Sequence, residues 1–329
     1  MEVFRQMTIG YLQENVSLLE LNGHCCIRQA MPKQELRTIL GLTRRLTAQG
    51  RNNAIPQADL EDDFVSRENG IALRENLWRY SAGLRSSFLR GTLAQIASDI
   101  FSIYRGGSGK VALFADYVWF KEPGAESSPW HQDGTYLPLP DINCLTFWIP
   151  FHQITKDMSP MSYVSRSNSS CWLQIGKLDS QDACRTQDLN TTRRSKSLPG
   201  LHTQDFNTTR LCLEAEEYSI TTYNDLELGD ILVHDPWTLH GSSDHTGTET
   251  RFAISVAYYD VAGRVELVPS IRLNSSLKTE EILRVRQQAL DDLFPGMNNV
   301  DLLGNNPRTP ALLLKSSHRE IKNRPYARQ

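Results

Sequence analysis

The chain has no run approaching about 20 continuous apolar residues, so it offers no candidate membrane-spanning helix. It opens Met1-Glu2-Val3-Phe4-Arg5-Gln6, without a basic segment leading into an apolar one, and no secretory leader is expected. It ends Tyr326-Ala327-Arg328-Gln329, which is not a peroxisomal address of the Ser-Lys-Leu type. A cytoplasmic protein is the resulting expectation. Excess positive charge is lacking too: 35 Lys and Arg stand against 38 Asp and Glu, a net charge of -3, which leaves no basic footprint for nucleic acid. Closely spaced C-x-x-C pairs are absent. The six cysteines (Cys25, Cys26, Cys144, Cys171, Cys184 and Cys212) read as free thiols in a reducing compartment, because a chain of 329 residues needs no disulfide staples. The adjacent Cys25 and Cys26 lie in an apolar stretch and read as core rather than as a redox pair.

What is present is ordinary for a globular protein that buries a sizeable core: 40% hydrophobic and 22% charged residues. Residues 16–29 suggest an opening strand or hairpin around Asn22-Gly23. A helix follows from Met31-Pro32, with Leu36, Ile39, Leu42 and Leu46 at helical spacing and Gly50 as its stop. Residues 51–70 read as an irregular surface loop. A second helix is expected over 86–102, where Leu89, Leu93, Ile96, Ala97, Ile100 and Phe101 share a face. After Gly106-Gly107-Ser108-Gly109 the pattern changes. Residues 111–120 form a β-branched and aromatic run, and shorter strands are expected at 145–151, 161–165, 211–214, 218–222, 231–235 and 251–259. Many short strands between Pro, Gly and Asp turns favour an antiparallel sandwich or jelly roll. A late helix is expected over 280–293.

The chain thus reads as one domain, mainly β with flanking helices. A helical part spans 1–110, a core runs over about 111–265 with an inserted loop at about 172–210, and a C-terminal helix and tail occupy 266–329. The insertion contains a local duplication: Thr186-Gln-Asp-Leu-Asn-Thr-Thr-Arg193 recurs as Thr203-Gln-Asp-Phe-Asn-Thr-Thr-Arg210. Two copies are too few for a solenoid, and the duplication reads as a lengthened surface loop, either a tolerated insertion or a lid.

The chemistry lies in two segments. In Pro129-Trp-His-Gln-Asp-Gly-Thr-Tyr136, His131 and Asp133 are two apart and leave the same face of an extended backbone. In Leu228-Gly-Asp-Ile-Leu-Val-His-Asp-Pro-Trp-Thr-Leu-His240-Gly, a short strand leads toward His240. Two imidazoles and one carboxylate make a facial triad that leaves three positions open on an octahedral iron(II). A bidentate 2-oxo acid takes two of these and dioxygen the third. Arg251, eleven residues after His240, heads a strand from which its guanidinium can pair with a distal carboxylate of the co-substrate. Each piece alone is weak, since H-x-D is common and a lone His or Arg has ordinary structural uses. The set in this order is what points to a metal.

With those residues in view, the sequence resembles the phytanoyl-CoA dioxygenase family of iron(II)/2-oxoglutarate oxygenases. The resemblance rests on Trp130-His-Gln-Asp133, Cys144-Leu-Thr-Phe-Trp-Ile-Pro150 and the Leu228-Gly-Asp…His240-Gly…Arg251 block, with weaker support from 21–28 and 118–124. It implies a double-stranded β-helix (jelly-roll, cupin-like) core, with iron on His131, Asp133 and His240 and 2-oxoglutarate on Arg251. It also implies oxidation of a small-molecule substrate by O2 with release of succinate and carbon dioxide. Two stretches depart from the family pattern. Ser165-Arg-Ser-Asn168 stands where a Gly-Ser/Thr-His element is usual, with Ser167 keeping the hydroxyl placed near 2-oxoglutarate, and Asp157-Met-Ser159 replaces an Asn-Gly. Retention of Asp133 argues for oxygenation and against halogenation, since related halogenases carry a small residue there.

Weaker candidates complete the reading. Lys121 either contacts a carboxylate of co-substrate or substrate or is a solvated strand-end lysine. Trp148 and Tyr136 either line the pocket or pack the core. His234 is expected to face the sheet and not the metal, and His152 and His245 read as loop residues. The favoured function is oxidation of a small apolar metabolite of specialised metabolism, terpenoid-like or similar, by hydroxylation, desaturation or rearrangement. An acyl-CoA hydroxylase, a catalytically silent jelly-roll partner subunit, and a jelly-roll metalloenzyme without a 2-oxo acid are the alternatives. A homodimer is the expected assembly.

Overall fold

A computed structural model describes residues 9–49, 64–68, 70–135, 137, 144–168, 206–215, 217–265 and 267, with isolated positions between 283 and 298. In chain order the first half holds α1 (Ile9–Asn22), β1 (His24–Ile27), α2 (Lys33–Gln49), β2 (Phe64–Glu68), β3 (Ile71–Glu75), α3 (Ala82–Arg90), α4 (Thr92–Ile103) and β4 (Val111–Lys121). Then come β5 (Ser128–His131), β6 (Cys144–Pro150), β7 (Met161–Val164), α5 (Phe206–Ala215), β8 (Ile220–Thr222), β9 (Ile231–His234), β10 (His240–Ser242) and β11 (Arg251–Asp260).

Side-chain alternation along the long strands builds the layers. In β11, Phe252, Ile254, Val256 and Tyr258 point to one face and Ala253, Ser255 and Ala257 to the other. In β6, Leu145, Phe147 and Ile149 share the first face, and Thr146 and Trp148 the second. The bulky face packs under the helices, against Leu84, Phe88, Leu93, Ile96, Ile100 and Phe101 of α3 and α4. Full burial of one such side chain stabilises by about 1.5–3 kcal/mol, so this layer holds the sheet firmly. The small and polar face is left to line the interior of a sandwich.

That sandwich has two antiparallel sheets. Seven strands run in the order β1-β9-β6-β11-β4-β3-β2, and four in the order β5-β10-β7-β8. With helices on the outside of the larger sheet, this is the expected mainly-β jelly roll. Pro129 in β5 is tolerated because β5 is an edge strand, where a missing N–H costs no ladder bond.

Several expectations need correction. Residues 16–22 belong to α1, not to a strand: Leu12, Val16 and Leu19 share one buried helical face, and Gly23, at φ +81, ends the helix by donating to Leu19 O at 2.8 Å. The loop expected over 51–70 contains β2, which pairs with β3 around Gly70 (φ +78); residues 51–63 lie outside the described residues. The helix expected over 86–102 is two helices. Gly91 is extended between them, and Glu35 of α2 accepts the Thr92 N–H at 3.0 Å, supplying an anion to the start of α4. Residues 211–214 are helical, in α5, because Phe206, Thr209 and Leu213 bury one helix face. The second copy of the duplication therefore ends in a helix, while the first lies outside the described residues. Helical positions occur between 283 and 291, and most of the tail lies outside the described residues. Among the described residues no helix is long and apolar enough to cross a membrane. Cys25, Cys26 and Cys144 are free thiols, with Cys25 and Cys144 buried.

Candidate metal centre

Two rungs of side chains face each other across the sandwich. On the four-stranded sheet, His131, His240 and Tyr163 lie side by side, because His240 is directly opposite His131 in β5 and Tyr163 in β7. On the seven-stranded sheet, the facing rung runs Ala115, Ala257, Thr146, His234 and His24. Asp133, in the 3-10 turn just after β5, reaches between the two. Its Oδ1 lies 3.5 Å from His131 Nε2 and 3.8 Å from His240 Nε2. Among the described residues, His131, Asp133 and His240 are the group able to hold a metal ion, their ligand atoms all within 4.8 Å of one another.

Both imidazoles are oriented the same way. Nδ1 of His131 lies 2.8 Å from Pro129 O, and Nδ1 of His240 lies 2.8 Å from Thr238 O. Each ring donates its Nδ1 proton to the carbonyl two residues earlier and turns an Nε2 lone pair inward, the arrangement seen around metal-bound histidines. Burial, helped by the neighbouring His131 and His234, holds His240 well below the usual histidine range, so the ring is neutral and its lone pair is free. Burial opposes ionisation of Asp133, but His240, a hydrogen bond from His234 and the neighbouring His131 outweigh it and hold the carboxyl well below the usual carboxylate range. Two imidazole nitrogens and one carboxylate oxygen are the donor set of a facial triad.

The segments carrying the triad are stitched to each other. Gln132 donates to Trp237 O at 2.6 Å, and the Gly134 N–H donates to Pro236 O at 2.8 Å. Asp235, buried, accepts from Tyr104 Oη at 2.6 Å and from Trp237 N at 2.8 Å, which ties the turn between β9 and β10 to the end of α4. Gly241 lets β10 close on β5: a Cβ there would meet Ser128 O at 3.0 Å. Beneath β5, Trp130 stacks on Phe206 at 4.7 Å and 6° and donates Nε1–H to its carbonyl.

The triad closes one side of a cavity of about 380 Å³. Phe114, Tyr117, Trp119, Leu73, Leu137 and Met161 give it apolar walls, and Glu75 and Ser255 add polar atoms. Arg251 and Trp148 also line it, with the guanidinium 5.7 Å from the centre of the Trp148 ring. Arg251 is 2% exposed. One guanidinium nitrogen donates to Ser159 O, while Nε makes no hydrogen bond. A buried guanidinium facing a cavity with a donor to spare is chemically matched to a carboxylate. Burial lowers its pKa to about 10, still cationic at neutral pH.

The sequence-derived candidates fall in different places. His131, Asp133, His240, Arg251 and Trp148 are brought to one cavity; Tyr136 lies outside the described residues. Lys121 sits opposite Arg251 in the β4–β11 register, yet it is neither solvated nor part of the cavity wall. Its ammonium donates to Ser242 Oγ at 3.2 Å and Ser243 O at 3.0 Å, and burial and the Arg251 charge push its pKa down to about 7. Ser167 does not line the cavity. Its hydroxyl donates to Val164 O at 2.7 Å and accepts the Leu239 N–H at 2.8 Å, so the structure uses it to join the end of β7 to the segment before His240. His234 corrects the opposite way: it faces the cavity and its Nε2 lies 3.4 Å from Asp133 Oδ2. Its phase in β9 is hidden in the sequence, because Ile231, Leu232 and Val233 are apolar on both faces.

The model of the phytanoyl-CoA dioxygenase (PhyH) family matches residues 19–253. The chain belongs to that family. It is accordingly a non-haem enzyme of the iron- and 2-oxoglutarate-dependent class, and its donor set and buried guanidinium fit both groups. No curated protein sequence matches the chain. Among solved structures it is similar to the epimerase SnoN in complex with Fe3+, alpha ketoglutarate and nogalamycin RO, at 16% identity and a TM-score of 0.59, covering 93% of this chain and 100% of that one. The carbocyclase SnoK from nogalamycin biosynthesis aligns at 18% identity and a TM-score of 0.54, covering 79% and 88%. EctD from S. alaskensis with 2-oxoglutarate and 5-hydroxyectoine aligns at 14% identity and 0.54, covering 77% of each chain. These likenesses concern the fold.

Proposed function

We propose that this protein is an iron(II)- and 2-oxoglutarate-dependent dioxygenase that oxidises a small, mostly apolar specialised metabolite, with His131, Asp133 and His240 as the iron ligands and Arg251 as the anchor of 2-oxoglutarate. One observation carries the reading: two inward Nε2 atoms and a carboxylate oxygen converge on the cavity that Arg251 also lines. Bound iron and 2-oxoglutarate supply the activation of dioxygen. The chain's residues hold the metal on one face, orient the co-substrate by its distal carboxylate, and keep water from the reacting substrate with Trp119, Tyr117, Phe114 and Leu137. Those walls favour an apolar substrate over a highly charged one. The similarity to proteins of nogalamycin biosynthesis supports specialised metabolism, and an epimerase and a carbocyclase among them support rearrangement as an outcome beside hydroxylation.

Anaerobic addition of iron(II) and then 2-oxoglutarate to the apoprotein tests this. The expected result is a weak visible charge-transfer band that is lost in Arg251→Ala at the same co-substrate concentration. Iron binding without any band would remove 2-oxoglutarate from the reading and bring forward a silent partner subunit.

A further inference from the structure

Three imidazoles surround Asp133, and the facial triad uses only two. The carboxylate is divided between the sheets. Its Oδ1 faces His131 and His240 of the four-stranded sheet at 3.5 and 3.8 Å. Its Oδ2 faces two donors of the seven-stranded sheet: His234 Nε2 at 3.4 Å and Thr146 Oγ1 at 3.4 Å. Thr146 and His234 are register partners in β6 and β9, so both side chains leave the same face and reach the same oxygen.

The proton arrangement on His234 follows from its other neighbour. Tyr163 is fully buried, which keeps its phenol protonated, and its Oη lies 3.3 Å from His234 Nδ1. The phenol donates to Nδ1, which places the imidazole proton on Nε2, pointing at Asp133 Oδ2. His24 stacks on Tyr163 at 4.9 Å, and His234 packs on His240 with ring centroids 4.4 Å apart, so neither ring can turn freely.

We propose that His234 is a positioning residue for Asp133: with Thr146 it holds Oδ2, so that the carboxylate presents Oδ1 alone to iron(II) and does not close on the metal with both oxygens. A bidentate carboxylate would occupy a coordination position that the 2-oxo acid or dioxygen needs. The inference rests on the iron reading above and adds to it the device that keeps the metal open.

The test is anaerobic iron(II) titration of the wild type, His234→Leu, His234→Gln and Thr146→Val, followed by 2-oxoglutarate and the visible band. His234→Leu is expected to bind iron roughly ten- to a hundredfold more weakly, because the carboxylate is no longer pre-positioned, and to show a shifted or weakened band, because the freed Oδ2 competes with the 2-oxo acid. His234→Gln, whose amide N–H can still reach Oδ2, is expected to recover most of that loss. A packing role predicts the reverse order, since leucine fills an apolar space and glutamine does not. His234→Leu with wild-type affinity and an unchanged band would overturn the proposal. If that variant lacks native near-ultraviolet circular dichroism, Thr146→Val decides: it removes the other donor at nearly constant volume. Weaker iron binding by about three- to tenfold supports the proposal, and none overturns it. A wild type that binds iron while the variants match it sinks only this inference; a wild type that binds none sinks the iron reading and this with it.

Discussion

Gly134 lies against the indole of Trp237 so closely that a Cβ built on it would come within 2.5 Å of ring atom Cε2. The ring is buried and rigid, so it cannot give way as the end of a flexible side chain would. Gly134→Ala must therefore displace either the turn that carries Asp133 or the segment that leads to His240. A loss of about 1–3 kcal/mol in stability is expected, together with weaker iron(II) binding. Urea unfolding and iron titration on the same preparation check it, and an alanine variant that keeps both would show that the two segments are not interlocked.

Arg251 is the cation expected to hold the far carboxylate of 2-oxoglutarate. Removing one partner of a buried, hydrogen-bonded charge pair costs about 2–5 kcal/mol, so Arg251→Ala should weaken 2-oxoglutarate by at least about thirtyfold. Binding of iron alone should stay near wild type, because the Arg251 guanidinium bonds to Ser159 O and packs on Trp148 and not on His131, Asp133 or His240. Equal losses of iron and co-substrate would instead mark a general structural defect.

Through Lys121, the affinity for 2-oxoglutarate is expected to depend on pH. Its pKa is lowered to about 7, by burial first and by Arg251 second, with Asp244 pulling the other way. The groups around it are Arg251 on β11 and Asp244 and His245 after β10. Below pH 7 the ammonium adds its charge to the field of Arg251; above pH 7 that contribution fades. The dissociation constant of 2-oxoglutarate on iron-loaded protein should therefore rise between pH 6.5 and 8.5. Lys121→Met should be weaker at the acid end and flatter across the range. A wild-type constant that does not change with pH would refute the argument.

Tyr104 supports the segment that leads to His240 from a distance. Its hydroxyl donates to the buried Asp235 carboxylate at 2.6 Å, and Asp235 in turn accepts the Trp237 N–H. Hydrogen bonds to charged groups contribute about 1.5–3 kcal/mol, and Tyr104→Phe should lower the unfolding free energy by that order. Chemical denaturation measures it, and a change below about 0.5 kcal/mol would mean that Arg105, 3.8 Å from the same carboxylate, compensates.

Much of this arrangement is legible in the sequence where side-chain periodicity has one solution. β11 alternates large with small residues, so both its strand character and its inner face can be read directly. His131 and Asp133 stand out because a two-residue spacing on extended chain gives one face. Elsewhere two solutions compete. The apolar positions of 12–29 satisfy a helix and a strand alike, and the conformation of Gly23 decides between them. β5 and β10 carry no strand signal, because Ser-Pro-Trp-His and His-Gly-Ser serve chemistry and close approach rather than strand propensity. His234 reads onto the opposite face because its strand is apolar on both sides, and only the register with Thr146 fixes its direction. Ser167 carried a hydroxyl at a suggestive position, but the fold spends both of its hydrogen bonds on backbone.

The stacking of Phe206 on Trp130 gives the duplication a direction. The two copies differ at one position, leucine at 189 and phenylalanine at 206, and the phenylalanine is the residue that sits beneath the tryptophan next to His131. The copies are therefore not interchangeable. Excising 186–202 keeps Phe206 in the sequence, whereas the same cut moved past Phe206 removes the ring that stacks on Trp130 beside His131. The ring that backs Trp130 thus comes from the second copy alone, and a leucine at the same position of the first copy marks that copy as the one without this anchor.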